Sequence, residues 1–346
     1  MMTIARSKLV NLDVSRWYHC ISRCVRRAFL FREGDESNSG ERKNWIEHRL
    51  KELDAIFAVS VGGFSIMDNH LHLLLRLDPD MARQWSGEEV VKRWFKLFPP
   101  RATDRKPLSA AKVDELAAAK AQDSAWIIKT RERLTSLSWF MKSLKEPLSR
   151  MVNKAEKCTG AFFEGRFKSI AILDEEALLA VCAYIDLNPV AAGIAPTPEE
   201  SLHTSAKARV DHVKAEGRLE DLRGAKQGSV VGSRRAKKLE DALWLIPIED
   251  RRRIDSKREG MLEGCTLGNY LMLVEYTGRL LRDGKASISA ELSGIFDRLG
   301  SSADVWQTRM QRLSGGRLFG RFIASSRDKL REVAARLGVQ RLANVS

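Results

Sequence analysis

Two histidines have the type and spacing needed for metal chemistry. His70 and His72 lie in the run Asp68–Leu75, where they alternate with leucines. Alternate side chains of a β-strand share a face, so we expect the two imidazoles side by side, with Leu71 and Leu73 directed into a core. Such a pair can supply two neighbouring ligands to a divalent metal. The alternative is a surface strand with two hydrogen-bonded histidines and no metal.

A tyrosine and an asparagine form the second candidate pair. Tyr184 and Asn188 are four residues apart in a segment with helical character, so they share one face of the predicted helix. A tyrosine hydroxyl can attack phosphorus once it is deprotonated or polarised, and an amide oxygen one turn away can complete a metal site. The alternative is that Tyr184 packs in the core and Asn188 caps the helix before Pro189.

Basic and aromatic side chains alternate in a third feature, the run from Phe163 to Ser169. Arg166 and Lys168 in this run can contact a phosphodiester backbone while aromatic rings stack on bases. A half-buried strand, with phenylalanines inward and cations outward, explains the same pattern. Arg23, near the first predicted strand, has the same two interpretations.

The elements that must position these residues follow from hydrophobic periodicity. In chain order we predict a strand within 15–31, a helix at 42–58, two strands within 57–77, a helix at 134–157 interrupted or kinked near Pro147, a strand at 162–173 and a helix at 175–187. Gly62 and Gly63 predict a kink or bulge, and Pro189 predicts the end of the last helix. This order favours an α+β fold with a mainly antiparallel sheet.

The chain is predicted to have three regions. A domain spans 1–204 and contains an insertion at about 78–130 with two short helices, near 88–98 and 110–120. A polar, basic linker follows at 205–238. Residues 239–346 are predicted to be mostly helical, with breaks at the glycines Gly278, Gly284, Gly300 and Gly315–Gly316.

The charge of the chain indicates a polyanionic partner. Lys and Arg number 59 against 45 Asp and Glu, and residues 201–346 alone carry 28 basic and 18 acidic side chains. A basic excess concentrated in one segment is typical of a nucleic-acid surface. The five scattered cysteines argue against a disulfide framework, and the sequence shows neither a signal peptide nor an apolar span. We therefore expect a cytoplasmic protein with no membrane partner.

Taken together and in order, five strings resemble the single-tyrosine HUH transposases, and most closely the group of REP-associated tyrosine transposases. The strings are YHCISR, MDNHLHLLL, SLSWFMKSLKEPLSR, CTGAFFEGRFKS and ALLAVCAYIDLNPVAAGI. They cover about residues 14–205. The later segment GNYLMLVEYTGRLLRDGK resembles the extension of long members of the group.

The resemblance implies a ferredoxin-like antiparallel sheet with helices on one face, followed by a mostly helical C-terminal region. It implies that Tyr184 is the catalytic nucleophile and that His70 and His72 belong to the same catalytic site. Mg²⁺ or Mn²⁺ would be bound by His70, His72 and Asn188. The candidates for DNA binding are the basic residues Arg23, Arg166 and Lys168.

The function implied is metal-dependent cleavage and joining of single-stranded, hairpin-forming DNA through a 5′-phosphotyrosine link. One alternative is a domesticated DNA-binding protein that recognises repeat hairpins without cutting them. Another is a relaxase or replication initiator. The intact set of Tyr184, His70, His72 and Asn188 favours the enzyme. Whether the protein is a monomer or a homodimer is left open, and we expect it at the nucleoid when it is bound to DNA.

Overall fold

The chain forms two compact units in the computed structural model. The structure describes residues 10–31, 39–226, 239–250, 260–283, 301–314, 322–339 and 342. The first unit comprises Met1–Lys43, Val61–Leu75 and Phe163–Ser346, and the second comprises Asn44–Ser60 and Arg76–Phe162. Residues on both sides of the predicted boundary at 204 therefore belong to one unit. No helix among the described residues is long and apolar enough to cross a membrane.

A five-stranded, mostly antiparallel sheet forms the centre of the first unit, which confirms a mixed α+β fold. The strands are β1 (Trp17–Arg23), β2 (Val59–Ile66), β3 (His70–Leu77), β4 (Lys168–Ile172) and β7 (Phe322–Ile323). Their order in the sheet is β2-β3-β1-β4-β7. β1 pairs antiparallel with β4, and β4 pairs parallel with β7. β3 and β1 are thus neighbours inside the sheet, away from its edges.

Both faces of this sheet are buried. On β1, Ile21 faces the same side as Lys168 of β4 and joins the core that contains Leu74 of β3. Tyr18 and Cys20 point to the other side and are fully buried as well. Side chains on both faces of β1 are therefore covered by other parts of the protein, and the expectation of helices on one face alone stays a prediction.

One long helix carries the candidate nucleophile. This helix, α7 (Glu175–Ala191), begins at Asp174, whose carboxylate accepts a hydrogen bond from the Ala177 N–H at 2.9 Å. Acidic residues in its first turn stabilise the helix, because their charge interacts favourably with the positive end of the helix dipole. The predicted end before Pro189 is wrong, since the helix continues through the proline to Ala191. Burial of nearly the whole helix outweighs the one backbone hydrogen bond that a proline removes.

Helices also occupy most of the segment for which the sequence predicts a linker. They are α8 (Ser205–Ala215) and α9 (Leu219–Lys226), whereas 227–238 lies outside the described residues. Arg209 of α8 is buried, pairs with Glu240 and donates to the carbonyl oxygens of Gly62 at 2.8 Å and Ile246 at 2.9 Å. The polar composition of this segment predicted a linker. The helix forms because its buried cation, Arg209, pairs with partners distant in sequence, which local composition does not show.

The remainder of the first unit contains helices α10 (Leu267–Asp283), α11 (Ala303–Ser314) and α12 (Arg327–Arg336), and a pair of short strands, β5 (Glu249–Asp250) and β6 (Leu262–Glu263). Gly278 lies inside α10, so the predicted break there is wrong. A Cβ at Gly278 would lie 3.2 Å from Leu187 Cδ2, and the glycine therefore permits close packing of α10 on α7. The predicted breaks at Gly284, Gly300 and Gly315–Gly316 lie outside the described residues.

The second unit is helical. It contains most of α1 (Ser39–Ile56), followed by α2 (Pro79–Gln84), α3 (Gly87–Leu97), α4 (Ala110–Ala121), α5 (Ser124–Leu134) and α6 (Leu137–Ala155). The sequence predicts two of the helices between 78 and 134, whereas the structure has four. α6 runs through Pro147, so the helix is not interrupted there, and the alternative of a kink stays a prediction. The carbonyl of Ser143, which loses the Pro147 donor, accepts a hydrogen bond from Arg49 Nε at 3.3 Å instead.

The glycine pair in β2 marks close packing of side chains against the strand. β2 runs as one strand through Gly62 and Gly63, and a kink or bulge within it stays a prediction. A Cβ on Gly62 would lie 2.8 Å from the Trp17 ring and 2.9 Å from Met261 Sδ.

Substituting Gly62 tests this packing. Gly62→Ala is expected to lower the free energy of unfolding by about 1–3 kcal/mol, because the added methyl group overlaps the Trp17 ring. Gly165→Ala is the control, since nothing lies within 4 Å of its Cβ position, and it should change stability by less than about 0.5 kcal/mol. Urea unfolding followed by circular dichroism measures both. Equal stability of the two variants would contradict the packing described.

Candidate active site

His70 and His72 lie together on β3, as the strand alternation predicts. Their ring centroids are 4.9 Å apart. His72 is only 1% exposed, whereas His70 is half-buried. The turn that precedes them is fixed by the segment after β1. The backbone N–H of Cys24 donates to Asn69 O at 2.8 Å, and that of Phe31 donates to Asp68 O at 2.7 Å.

A third histidine, which the sequence reasoning missed, joins the pair. His19 of β1 is fully buried, and its Nε2 lies 2.8 Å from His72 Nδ1. Alternation on β1 places His19, Ile21 and Arg23 on one face. The position of His19 two residues before Ile21 could have indicated that both face the same side of the strand. Its role at the site could be predicted only if β1 and β3 were known to be neighbours.

On each of the two β3 histidines, Nδ1 has a hydrogen-bond partner, which leaves Nε2 for a ligand. His70 Nδ1 lies 2.6 Å from Asn69 Oδ1, and Asn69 Nδ2 donates to Arg27 O at 3.0 Å. The latter bond orients the amide, so its oxygen accepts and His70 Nδ1 carries the proton. His72 Nδ1 is occupied by His19, and His72 Nε2 is buried without a hydrogen-bond partner.

All three imidazoles are held neutral. Burial lowers the pKa of His19 to about 3 and, with help from the charge of Arg23, lowers the pKa of His70 to about 4. The pKa of His72 lies well below its usual value, chiefly through burial and then through His19 and His70. Neutral imidazole is the form that binds a metal.

Tyr184 of α7 lies edge-on against this cluster. Its ring centroid is 5.5 Å from that of His72 and 5.9 Å from that of His19. Burial raises the pKa of the Tyr184 hydroxyl, and the Asn188 side chain and the charge of Arg23 oppose that rise. One turn along the helix, Asn188 Nδ2 donates to the Tyr184 carbonyl at 2.7 Å. Because the amide nitrogen is used in this way, the Asn188 oxygen remains available as an acceptor or ligand.

By their chemistry, the two imidazoles and the Asn188 amide oxygen are donors that a small divalent cation can take. Among the described residues no group of three or more His, Cys, Asp or Glu side chains is arranged to hold a metal. The candidate set differs from such a group because its third member is Asn188. Two ring nitrogens of the cluster, His72 Nε2 and His19 Nδ1, are buried without a hydrogen-bond partner, and of these His72 Nε2 belongs to the candidate donor set.

The three candidate DNA-binding residues are placed differently. Arg23 is half-buried, and its charge acts on His70, His72 and Tyr184. Arg166 and Lys168 are exposed, and Lys168 lies opposite Ile21 on the face that carries His19. The predicted strand at 162–173 is too long, because β4 begins only at Lys168.

The other tyrosines are engaged in packing. The Tyr18 hydroxyl is bonded to the backbone of Asn11 and Ser15, and the Tyr270 hydroxyl donates to Asp186. Tyr276 is 6% exposed. Among the four, Tyr184 is the tyrosine whose ring contacts the histidine cluster.

Comparison with known proteins gives one distant likeness. No protein-family model matches the sequence, and no curated protein matches it. Among solved structures, a REP-associated tyrosine transposase bound to a REP hairpin matches with a TM-score of 0.32 and 10% identity. The match covers 56% of this chain and 76% of that chain. A TM-score of this size does not establish a shared fold, so the functional conclusion depends on the site itself.

Metal binding tests the donor set directly. We expect His70→Ala and His72→Ala each to abolish Mn²⁺ binding measured by isothermal titration calorimetry, because each variant removes one Nε2 ligand. His48→Ala, on an exposed histidine of α1, should bind Mn²⁺ like the unaltered protein. Thermal unfolding of each variant checks that the fold is retained. Undiminished binding by the folded double variant His70→Ala/His72→Ala would exclude this site.

Proposed function

We propose that the protein is a metal-dependent DNA-cleaving and DNA-joining transposase with a single catalytic tyrosine, Tyr184. Its substrate would be single-stranded, hairpin-forming DNA. The observation that carries the proposal is the contact of the Tyr184 ring with His72 and His19, next to His70. A candidate nucleophile on α7 and two candidate metal ligands on β3 are thus neighbours, which phosphoryl transfer to tyrosine would need.

The nucleophile needs assistance at neutral pH. An ordinary phenol has a pKa of about 10, and burial raises the pKa of Tyr184 further. Arg23 is the nearby protein cation that acts in the opposite direction, since its charge favours the phenolate. Mg²⁺ or Mn²⁺ bound by His70, His72 and Asn188 would polarise the scissile phosphate, offset charge on its non-bridging oxygens and favour the phenolate.

The protein residues then perform a reversible transfer. The Tyr184 oxygen attacks phosphorus, the bond from phosphorus to the 3′ oxygen breaks, and the departing strand takes a proton to become a free 3′-OH. The 5′ phosphate stays joined to Tyr184 as a phosphodiester. A second 3′-OH can attack the same phosphorus and displace Tyr184, which takes up a proton. The strands are joined without ATP, because the two steps together break one bond between phosphorus and a 3′ oxygen and form another of the same kind.

Basic side chains near the site would bind the DNA backbone. Arg23 contributes charge inside the site, and exposed Arg166 and Lys168 follow along the segment that leads into β4. That segment is tied to β1, since the Glu164 N–H donates to Arg23 O at 2.9 Å. The excess of basic residues after 200 would add affinity for DNA of any sequence.

A covalent-adduct assay tests the nucleophile. With a labelled single-stranded hairpin oligonucleotide and Mn²⁺, the unaltered protein should give a shifted band on a denaturing gel that disappears with EDTA. Tyr184→Phe should give no band, because it lacks the attacking oxygen. Tyr276→Phe is the matched control and should form the adduct.

Two outcomes of this assay would contradict the proposal. Hairpin binding without an adduct or a cut strand, on every substrate tried, would favour a domesticated DNA-binding protein. An adduct that persists in Tyr184→Phe would assign the chemistry to another residue.

A second prediction concerns DNA affinity. Arg166→Ala/Lys168→Ala should weaken hairpin binding and lower the slope of log affinity against log salt by about 0.7–0.9 for each phosphate that is no longer neutralised by a side chain. Fluorescence anisotropy at several salt concentrations measures both quantities. Lys51→Ala, another exposed cation, is the control and should leave the slope unchanged. An unaltered slope in the double variant would remove these two residues from the DNA-binding surface.

A further inference from the structure

Four aromatic rings form a partly exposed cluster in the second compact unit. Trp94 is its centre, with ring centroids 4.7 Å from Phe98, 5.5 Å from Trp139 and 6.5 Å from Trp126. Phe98 is 41% exposed, and the three tryptophans are half-buried. We call these four residues the aromatic patch. They lie on α3, α5 and α6 or directly after α3, and three of them belong to the insertion between 78 and 130.

The aromatic patch is distinct from the core of its own unit. That core is built from fully buried residues of α1 and α6 and the residue that follows α1, among them Ile46, Leu50, Leu53, Phe57 and Phe140. The rings of Phe57 and Phe140 meet edge to face at 5.4 Å. The patch rings are therefore not required to fill the interior, and large aromatic side chains left at a surface are typical of binding sites.

Cations lie over the rings of the patch. The Arg133 guanidinium is 5.3 Å from the Trp94 ring centroid and 5.0 Å from that of Trp139. Lys142 Nζ is 4.7 Å from the Trp139 centroid, and Lys120 Nζ is 5.6 Å from that of Trp126. Lys120 and Lys142 have carboxylates nearby, whereas Arg133 makes no ion pair within the part of the chain that the structure describes.

The surrounding sequence adds positive charge. Residues 92–106, which run from α3 into the following loop, contain six basic residues and one acidic residue. Four of the six, Lys92, Lys96, Arg101 and Arg105, are exposed and form no ion pair among the described residues. Aromatic rings interleaved with cations suit single-stranded nucleic acid, because bases stack on the rings while phosphates pair with the cations. An acidic peptide would use the cations but would leave the rings without a partner.

We propose that the aromatic patch, with Arg133 and Lys142, is a stacking surface for single-stranded DNA. DNA is chosen over RNA on the basis of the proposed function, and in this respect the inference rests on it. Binding here would be sequence-tolerant, since every base presents a face that can stack. The patch would hold unpaired DNA that accompanies the substrate of the tyrosine site.

The test uses the full-length protein carrying Tyr184→Phe, so that no strand is cut. Fluorescence anisotropy with a labelled oligo(dT) of about 12 nucleotides gives the Kd. Phe98→Leu and Trp139→Leu keep apolar bulk but remove a stacking ring, and each should weaken binding about fivefold or more. Arg133→Gln should weaken binding and reduce its salt dependence. Ile128→Ala, an exposed apolar residue of α5, is the control and should leave the Kd unchanged.

Three results would overturn the proposal. The first is a Kd that stays within twofold in the folded double variant Phe98→Leu/Trp139→Leu. The second is tighter binding of an oligo(U) strand of equal length than of oligo(dT). The third is a concentration-dependent dimer, seen by analytical ultracentrifugation, that Phe98→Leu abolishes, because the patch would then bind a second copy of this chain.

The assay separates this proposal from the proposed function. Adduct formation at a saturating concentration of the hairpin oligonucleotide depends on Tyr184. In protein with Tyr184 intact it should be the same in Phe98→Leu/Trp139→Leu as in the unaltered protein. Loss of oligo(dT) binding in the patch variants would support the stacking surface even if no adduct forms. Adduct formation with unchanged oligo(dT) binding would support the tyrosine site and reject the patch.

Discussion

The packing of α7 against the sheet is the constraint on which the candidate site depends. Tyr184 contacts the histidines because α7 is held in place against the sheet. Two residues further along, the buried carboxylate of Asp186 accepts hydrogen bonds from Ser205 Oγ at 2.6 Å, from the Ala206 N–H at 2.9 Å and from the Tyr270 hydroxyl. The start of α8 and Tyr270 of α10 thereby anchor α7, and the Ser205 hydroxyl also accepts a hydrogen bond from the Phe64 N–H of β2 at 3.1 Å. A nucleophile must be held within a fraction of an ångström, and this network supplies that support.

Burial also determines the electrostatics of the site. Two of the three imidazoles, those of His19 and His72, are almost completely buried, so a proton on either would carry a desolvation cost. The cluster therefore stays neutral, and the hydrogen bonds to Asn69 and His19 select which nitrogens remain for a ligand. Fixing the tautomer through the second ring nitrogen is the usual way in which proteins orient a metal-binding histidine. The same burial opposes ionisation of Tyr184, so the proposed reaction would need a cation to favour the phenolate.

Local periodicity predicted much of the fold and part of the site. Alternation on β3 and helical spacing on α7 placed His70, His72 and the Tyr184–Asn188 pair, because both patterns depend on neighbours within one element. Local periodicity did not predict a role for His19, because that role depends on a strand neighbour distant in sequence. The helix through Pro189 and the helix around Arg209 were missed for a similar reason, since tertiary packing and distant partners override local preferences there.

The central claim is that Tyr184 forms a covalent bond to DNA phosphorus. Trypsin would release residues 169–207 as one peptide, in which Tyr184 is the only tyrosine. The most direct measurement is tandem mass spectrometry of that peptide after incubation with Mn²⁺ and a hairpin oligonucleotide, followed by protease and nuclease digestion. We predict a phosphonucleotide on Tyr184. A phosphonucleotide on Tyr18, Tyr270 or Tyr276, with Tyr184 unmodified in the same sample, would contradict it.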